Sequence, residues 1–437
     1  MNRNLVFGIA LIVSSIFAAA GPARAQEKDA PKLEIGPLFT SLSTNQPEFG
    51  GTEPQSGFGG RITYNLTDNF AVEAEGNFFP GKSAVTLSTG GRAVQGQFGV
   101  KAGKRFQRFG VFAKARPGFV SYDNVFTYTG VVLEGSGPFE FPRGIGETGR
   151  KTHFSTDVGS VLEFYPSRKI VTRFDVGDTI IRYGERKDIP RTFVPGTTPA
   201  LVTLPSKVQH NFQFSASVGF RFMDGDDGAD DAGAANDKST PRFEIGTQFT
   251  SLSLRPPSRV FGSFFFGDAG VEHKPGVGAR LTYNLNDNFA LEGEGNFFTI
   301  RDFSNTATGG YPFQGQFGVK VGKRFERFGV FAKARPGFVG FTDVGEFIGT
   351  TTTTVDGVQF VNPQYRFGSR TYFSTDVGGV LEFYPSRRLV TRFDFGDTII
   401  RYGRRQDAIF FLSPQLIETP ATTRHNFQFS AGFGLRF

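Results

Sequence analysis

The last dozen residues of the chain alternate without a break. Phe437, Leu435, Phe433, Ala431, Phe429 and Phe427 are apolar, while Arg436, Gly434, Gly432, Ser430, Gln428 and Asn426 between them are polar or small. A period of two over this length specifies a β-strand with one greasy and one wet face. The pattern recurs upstream, where Phe222, Phe220, Val218, Ala216, Phe214 and Phe212 alternate with Arg221, Gly219, Ser217, Ser215, Gln213 and Asn211. It appears again where Phe70, Val72, Ala74 and Phe78 oppose Glu73, Glu75 and Asn77. A further segment sets Val111, Ala113, Ala115, Pro117 and Phe119 against Phe112, Lys114, Arg116 and Gly118. Pro117 cannot donate to a strand ladder, so a local bulge or bend is expected there.

Alternation of this kind predicts eight strands in the first half, near 32–43, 57–66, 69–79, 94–105, 109–121, 153–165, 169–183 and 208–222. Their connections alternate in length. Tight turns at 67–69, 106–108 and 166–168 are interleaved with long loops around 44–56, 80–93, 122–152 and 184–207. The second half repeats the plan, with long loops near 254–275, 300–312, 340–370 and 403–424. Residues 108–120 read RFGVFAKARPGFV, and residues 327–339 read the same. VLEFYPSR likewise occurs at 161–168 and 380–387. The expected units are therefore copy one at 26–222 and copy two at 242–437. Between them, 223–241 carries Asp224, Asp226, Asp227, Asp230, Asp231 and Asp237 against a single Lys238. Such a segment cannot bury apolar area and reads as a linker. Its Asp run lacks the glycine and glutamate spacing of a calcium loop, so neither a metal nor a cofactor is expected.

The first 25 residues read as a secretion signal. Arg3 supplies the positive start, 5–20 is apolar, and Ala23-Arg24-Ala25 forms an A-x-A cleavage site before Gln26. No later run is long and apolar enough for a spanning helix. A mean hydropathy of −0.22 does not argue against membrane strands, because half of each such strand is polar. With Cys at 0, thiol catalysis and disulfide scaffolds fall away. The net charge of +7 comes from bases spread along strands among acids, so nucleic acid is not an expected partner.

The charges fall on the faces that a closed sheet would enclose. In copy one the inward acids are Glu34, Glu73, Glu75, Asp157, Glu163 and Asp175, and the inward bases are Arg61, Lys101, Lys114, Arg116, Arg173 and Arg221. Copy two has Glu244, Glu292, Glu294, Asp376, Glu382 and Asp394 against Arg280, Lys320, Lys333, Arg335, Arg392 and Arg436. An eight-stranded barrel is only wide enough inside for side chains, and confined ions need partners. A balanced set predicts a core of ion pairs. The competing reading makes Lys114, Arg116 and Arg173 the lining of an ion path.

At this point the chain resembles the small outer-membrane β-barrels, the OmpA/OmpX-type eight-stranded transmembrane domains, present twice. The closing strands 211–222 and 426–437 carry the resemblance, with Phe222 and Phe437 resembling the terminal signal read by the barrel assembly machinery. The resemblance implies an all-β antiparallel barrel in the outer membrane of a Gram-negative-type bacterium. It implies short turns and linker in the periplasm, contact with lipid and lipopolysaccharide, and periplasmic chaperones during biogenesis. Members of the family are structural, adhesive, lipid-modifying or weakly pore-forming, so the fold does not choose a function. Two separate barrels are the preferred architecture, and one sixteen-stranded diffusion porin is the alternative. An outer-membrane lipid-modifying or proteolytic enzyme is a third reading. It would rest on His210 and His425 near Asp178 and Asp397, since no G-x-S-x-G, H-E-x-x-H or phosphate loop is present. The loops at 122–152 and 340–370 are the longest and differ most between copies, which makes them candidates for surface binding. Tyr122, Phe126, Tyr128, Phe139 and Phe141 would give the first an aromatic tip.

Overall fold

The computed structural model describes residues 31–222 and 241–437, apart from 49, 136–139, 191, 193, 195–196, 258–269, 303–305, 356–357 and 411–413. The expected signal, and the linker up to residue 240, lie outside the described residues.

The alternating segments close into two antiparallel barrels of eight strands each. The first uses β1 (Leu33–Asn45), β2 (Thr52–Thr67), β3 (Phe70–Ser83), β4 (Gly91–Arg105), β5 (Phe109–Glu134), β6 (Phe141–Ser167), β7 (Ile170–Tyr183) and β10 (Lys207–Phe222). A short hairpin, β8 (Arg186–Asp188) with β9 (Val202–Leu204), sits in the β7–β10 connection. The second barrel uses β11 (Phe243–Leu254), β12 (Glu272–Asn284), β13 (Phe289–Phe298), β14 (Pro312–Arg324), β15 (Phe328–Val355), β16 (Val358–Ser386), β17 (Leu389–Tyr402) and β20 (Thr422–Arg436). Its last connection holds the hairpin of β18 (Arg405–Phe410) and β19 (Pro414–Thr419). Each barrel closes first strand to last, with Glu34 opposite Arg221 and Glu244 opposite Arg436. Closure in two rings of eight excludes the single sixteen-stranded barrel.

The pleat sorts the side chains as the alternation requires. In β3, Glu73, Glu75 and Asn77 are buried inside, and Phe70 and Phe78 are exposed outside. Two features differ from the expectation. Pro117 causes no register shift: it pairs with Thr156 of β6, and the ladder to β4 merely lapses between Gln97↔Gly118 and Val100↔Ala115. The proline ring sits where the ladder can lose one bond without inserting a residue. The bulges lie further out, between Tyr122 and Val125 and between Tyr128 and Gly130.

The second difference is the long loop at 122–152, which is not a loop. β5 leaves β4 at Tyr122, and β6 joins β7 only from Phe154, yet β5 and β6 stay paired to Glu134↔Phe141. A two-stranded hairpin therefore projects roughly 30 Å beyond the barrel, at about 3.3 Å per residue. β15 and β16 build its counterpart, paired from Val344↔Gly368 to Val355↔Val358.

Candidate functional site: the filled lumens and their outer ends

Strands β2 to β7 each point a charged side chain to the axis of the first barrel. Arg116 on β5 donates from Nε and Nη2 to Asp157 on β6, and its Nη1 lies 2.6 Å from Glu75 on β3. Lys114 reaches the same Asp157 at 2.7 Å. Arg173 on β7 holds Glu73 through both Nη atoms and Asp175 through Nε at 2.6 Å. Lys101 on β4 lies 2.5 Å from Glu163, which also accepts a hydrogen bond from the Tyr165 hydroxyl at 2.9 Å. Arg61 on β2 bridges Asp175 at 3.0 Å and Glu75 at 3.4 Å. The group is shielded from solvent, with Arg116, Lys101, Asp157 and Glu163 all fully buried.

The second barrel repeats the arrangement. Arg335 lies 2.6 Å from both Glu294 and Asp376, and Lys333 lies 2.7 Å from Asp376. Arg392 holds Glu292 and, at 2.9 Å, Asp394, and Lys320 lies 2.5 Å from Glu382. Every member of both expected networks is within ion-pair distance of an opposite charge. In this setting a charge gains neighbours on several strands at once, which offsets its desolvation. Chemically the array is a set of fixed ions, each held against an opposite charge across the lumen.

One base at the inner end of each network was missed at sequence level. Arg105 at the inner end of β4 lies 3.6 Å from Glu34, and Arg324 does the same for Glu244 at 3.5 Å. Arg105 continues the inward series from Lys101. Its place beside the 106–108 turn hid it, because alternation is hard to follow into a turn.

The larger omission is apolar. Above the charges, toward the projecting hairpins, Leu42, Phe79, Ala93, Val120, Tyr122, Val125, Ile181 and Tyr183 form a buried cluster inside the first barrel. Leu252, Leu254, Phe298, Ala307, Val339, Phe341, Val344, Tyr372, Ile400 and Tyr402 form one inside the second. Connecting segments fold over these layers. Ser88 and Thr89 are 1 % exposed, and His153 Nε2 contacts the Ser88 carbonyl at 2.8 Å. In the second barrel the Tyr372 hydroxyl donates to the Ala307 carbonyl at 2.7 Å. Tyr122 therefore belongs to the plug and not to an exposed aromatic tip. Phe126 and Tyr128 do meet on the projecting hairpin, edge to face at 4.8 Å, and Phe141 is exposed. Phe139 lies outside the described residues.

The His–Asp pairs form on the outer walls. His210 Nδ1 is 2.6 Å from Asp178, and His425 Nδ1 is 2.5 Å from Asp397. Each carboxylate also accepts the backbone N–H that follows the histidine. The histidines are about two-thirds exposed, so the pairs stand open at the rim, the second in a shallow depression that it shares with Arg255, Phe395 and Phe427. A Ser–His contact, Ser253 Oγ to His273 Nδ1 at 3.0 Å, was not foreseen. His273 Nε2 has no hydrogen-bond partner, so no carboxylate orients that ring. Among the described residues no group of three His, Cys, Asp or Glu side chains could hold a metal ion.

The family model for the outer membrane protein beta-barrel domain matches residues 9–222. The first half of the chain belongs to the outer-membrane β-barrel proteins, and the second half closes the same eight-stranded barrel again. That membership places it in the outer membrane of Gram-negative-type bacteria. Among solved structures, the N-terminal β-barrel domain of Pseudomonas aeruginosa OprF is 11% identical, covering 44% of this chain and 98% of that one, with a TM-score of 0.23. Yersinia pestis Ail, the attachment invasion locus protein, is 12% identical, covering 44% and 96%, with a TM-score of 0.25. The Ralstonia pickettii toluene transporter TbuX is 10% identical, covering 94% and 90%, with a TM-score of 0.24. No curated protein sequence matches the chain.

Proposed function

We propose that this outer-membrane protein is a pair of sealed barrels that anchor two projecting hairpins, and that its role is structural or surface-binding. The observation that carries the reading is the filling of both lumens, with paired ions in one layer and apolar side chains in the next. A solute would have to break several buried ion pairs and then displace a packed aromatic layer. The hairpins are the part left free to meet a partner. Their sequences diverge, with TYTGVVLE in one and EFIGTTTT in the other, while the strands beneath keep theirs. In this reading Phe222 and Phe437, both exposed at the ends of the closing strands, serve assembly machinery during biogenesis. The open His–Asp pairs serve as interfacial polar groups and not as catalysts.

The test replaces 125–149 and 344–368 with short turns. Cells carrying the full chain and the trimmed chain are compared for adherence to matrix-protein and glycan surfaces. Adherence that disappears with the hairpins, while both chains keep the heat-modifiable gel migration of folded barrels, supports the reading. Equal adherence of the two removes the hairpins from the function.

A further inference from the structure

The outward side chains of the barrels should meet lipid, and most are open. Phe98 and Phe317, at matching places on β4 and β14, are 63% and 62% exposed. One wall departs from this. Thr172 and Phe174 on β7 and Phe214 on β10 point outward, since Arg173, Asp175 and Gln213 beside them point in. Yet Thr172 is 0% exposed, and both phenylalanines are buried. What covers them is the other barrel, whose Phe249, Phe383, Phe393 and Ala431 join Phe164, Phe174, Phe214 and Ala216 in one cluster.

We infer that this wall is a self-complementary association face, and that the chain is a covalently joined dimer of barrels packed side by side in the membrane with lipid excluded between them. The contacts are reciprocal. Phe39 stacks on Phe429, and Phe214 stacks on Phe249, each with ring centroids 4.0 Å apart. In the repeat, Phe39 corresponds to Phe249, and Phe214 to Phe429, so these are one contact made twice. Arg108 donates to the Pro385 carbonyl at 3.0 Å, and Arg327 donates to the Pro166 carbonyl at 3.1 Å, again the same contact exchanged. Equivalent residues meet each other on the axis. Thr172 and Thr391 hydroxyls lie 3.0 Å apart, and Phe174 stacks on Phe393 with planes 9° apart. Exchange of this kind defines an isologous two-fold contact. The partner this face fits is a second copy of the same barrel, which the chain itself supplies.

Apolar area gives little drive to association in lipid, where packing and buried polar contacts decide. The face provides both. A threonine hydroxyl pointing into hydrocarbon lacks a partner, and Thr172 and Thr391 supply one to each other. Near the outer end Ser56 and Ser251 do the same at 2.7 Å. His273 lies in this seam, packed against Gly81, where an added Cβ would come within 2.7 Å of its Nε2. Two-fold contacts close on themselves, so the joined pair uses up its own face and leaves no edge for a third barrel.

The chain holds no cysteine, which makes the test clean. The Thr172→Cys/Thr391→Cys variant of the full chain is expressed in outer membranes and mildly oxidised. The Ser56→Cys/Ser251→Cys variant provides a second pair in case the first disturbs packing, and Phe98→Cys/Phe317→Cys is the control on the far walls. Only heat-modifiable, folded protein is scored. The expected result is a reductant-sensitive shift within single chains for a seam pair and none for the control. Folded seam variants that stay unlinked, or link only between chains, overturn the inference.

Discussion

The charged layer and the apolar plug sit in the same lumens, yet the two copies preserve them differently. In the charged layer each residue has its like in the other copy, down to the paired 2.6 Å contacts of Arg116 and Arg335. In the plug the copies have drifted. Tyr122 becomes Phe341, His153 becomes Tyr372 and Thr44 becomes Leu254. The reason is energetic. A buried ion that loses its partner leaves an uncompensated charge, so single changes in the lower layer are costly. A layer without paired ions has no such constraint, so its side chains can vary in size and polarity while the layer still fills.

One exception in the lower layer shows how it tolerates change. Arg61 donates to Ser217 on β10, a position that is Gly432 in the second barrel. Arg280 instead donates to Gln248 at 2.9 Å, where the first barrel has Leu38. The guanidinium keeps a neutral acceptor in both barrels, supplied by the last strand in the first barrel and by the first strand in the second.

The comparison can be broken most severely at its centre. Arg116→Met and Arg335→Met should each destabilise their barrel by about 3–5 kcal/mol, the cost typical of breaking a buried ion pair. Urea titration followed by heat-modifiable migration should give similar losses for the two, and a clear inequality would mean the networks are not equivalent. Next, Gln248→Leu should cost about 1–3 kcal/mol by stripping Arg280 of an acceptor. Leu38→Gln in the first barrel should cost less, because Arg61 already has Ser217. Smaller still, Tyr122→Phe gives the first plug the second barrel's own residue and should shift stability by less than about 1 kcal/mol. Last, Arg143→Ala removes a solvent-exposed pair with Glu134 on the projecting hairpin and should change stability by less than about 0.5 kcal/mol.

The charged layer was legible in the sequence because charge at every second position of a greasy strand has one explanation. The plug was not. Val120, Tyr122 and Phe79 point inward, but an apolar residue in an alternating strand reads as lipid-facing, and the bulge after Tyr122 breaks the phase. The projecting hairpins were hidden for the same reason, since an isolated two-stranded ribbon has no buried face to impose alternation. The outer wall misled in the opposite direction. Phe214 and Phe429 of the closing strands read as lying on the lipid-facing side, and they do face outward, but what they meet is the other barrel.

The central claim is that both lumens are sealed. Single-channel recording of the refolded chain in a planar bilayer tests it most directly. The account predicts silence, or rare small flickers, across the range of applied voltage. Stable nanosiemens-scale steps would contradict it and would return Lys114, Arg116, Arg173 and their counterparts to the lining of a conducting path.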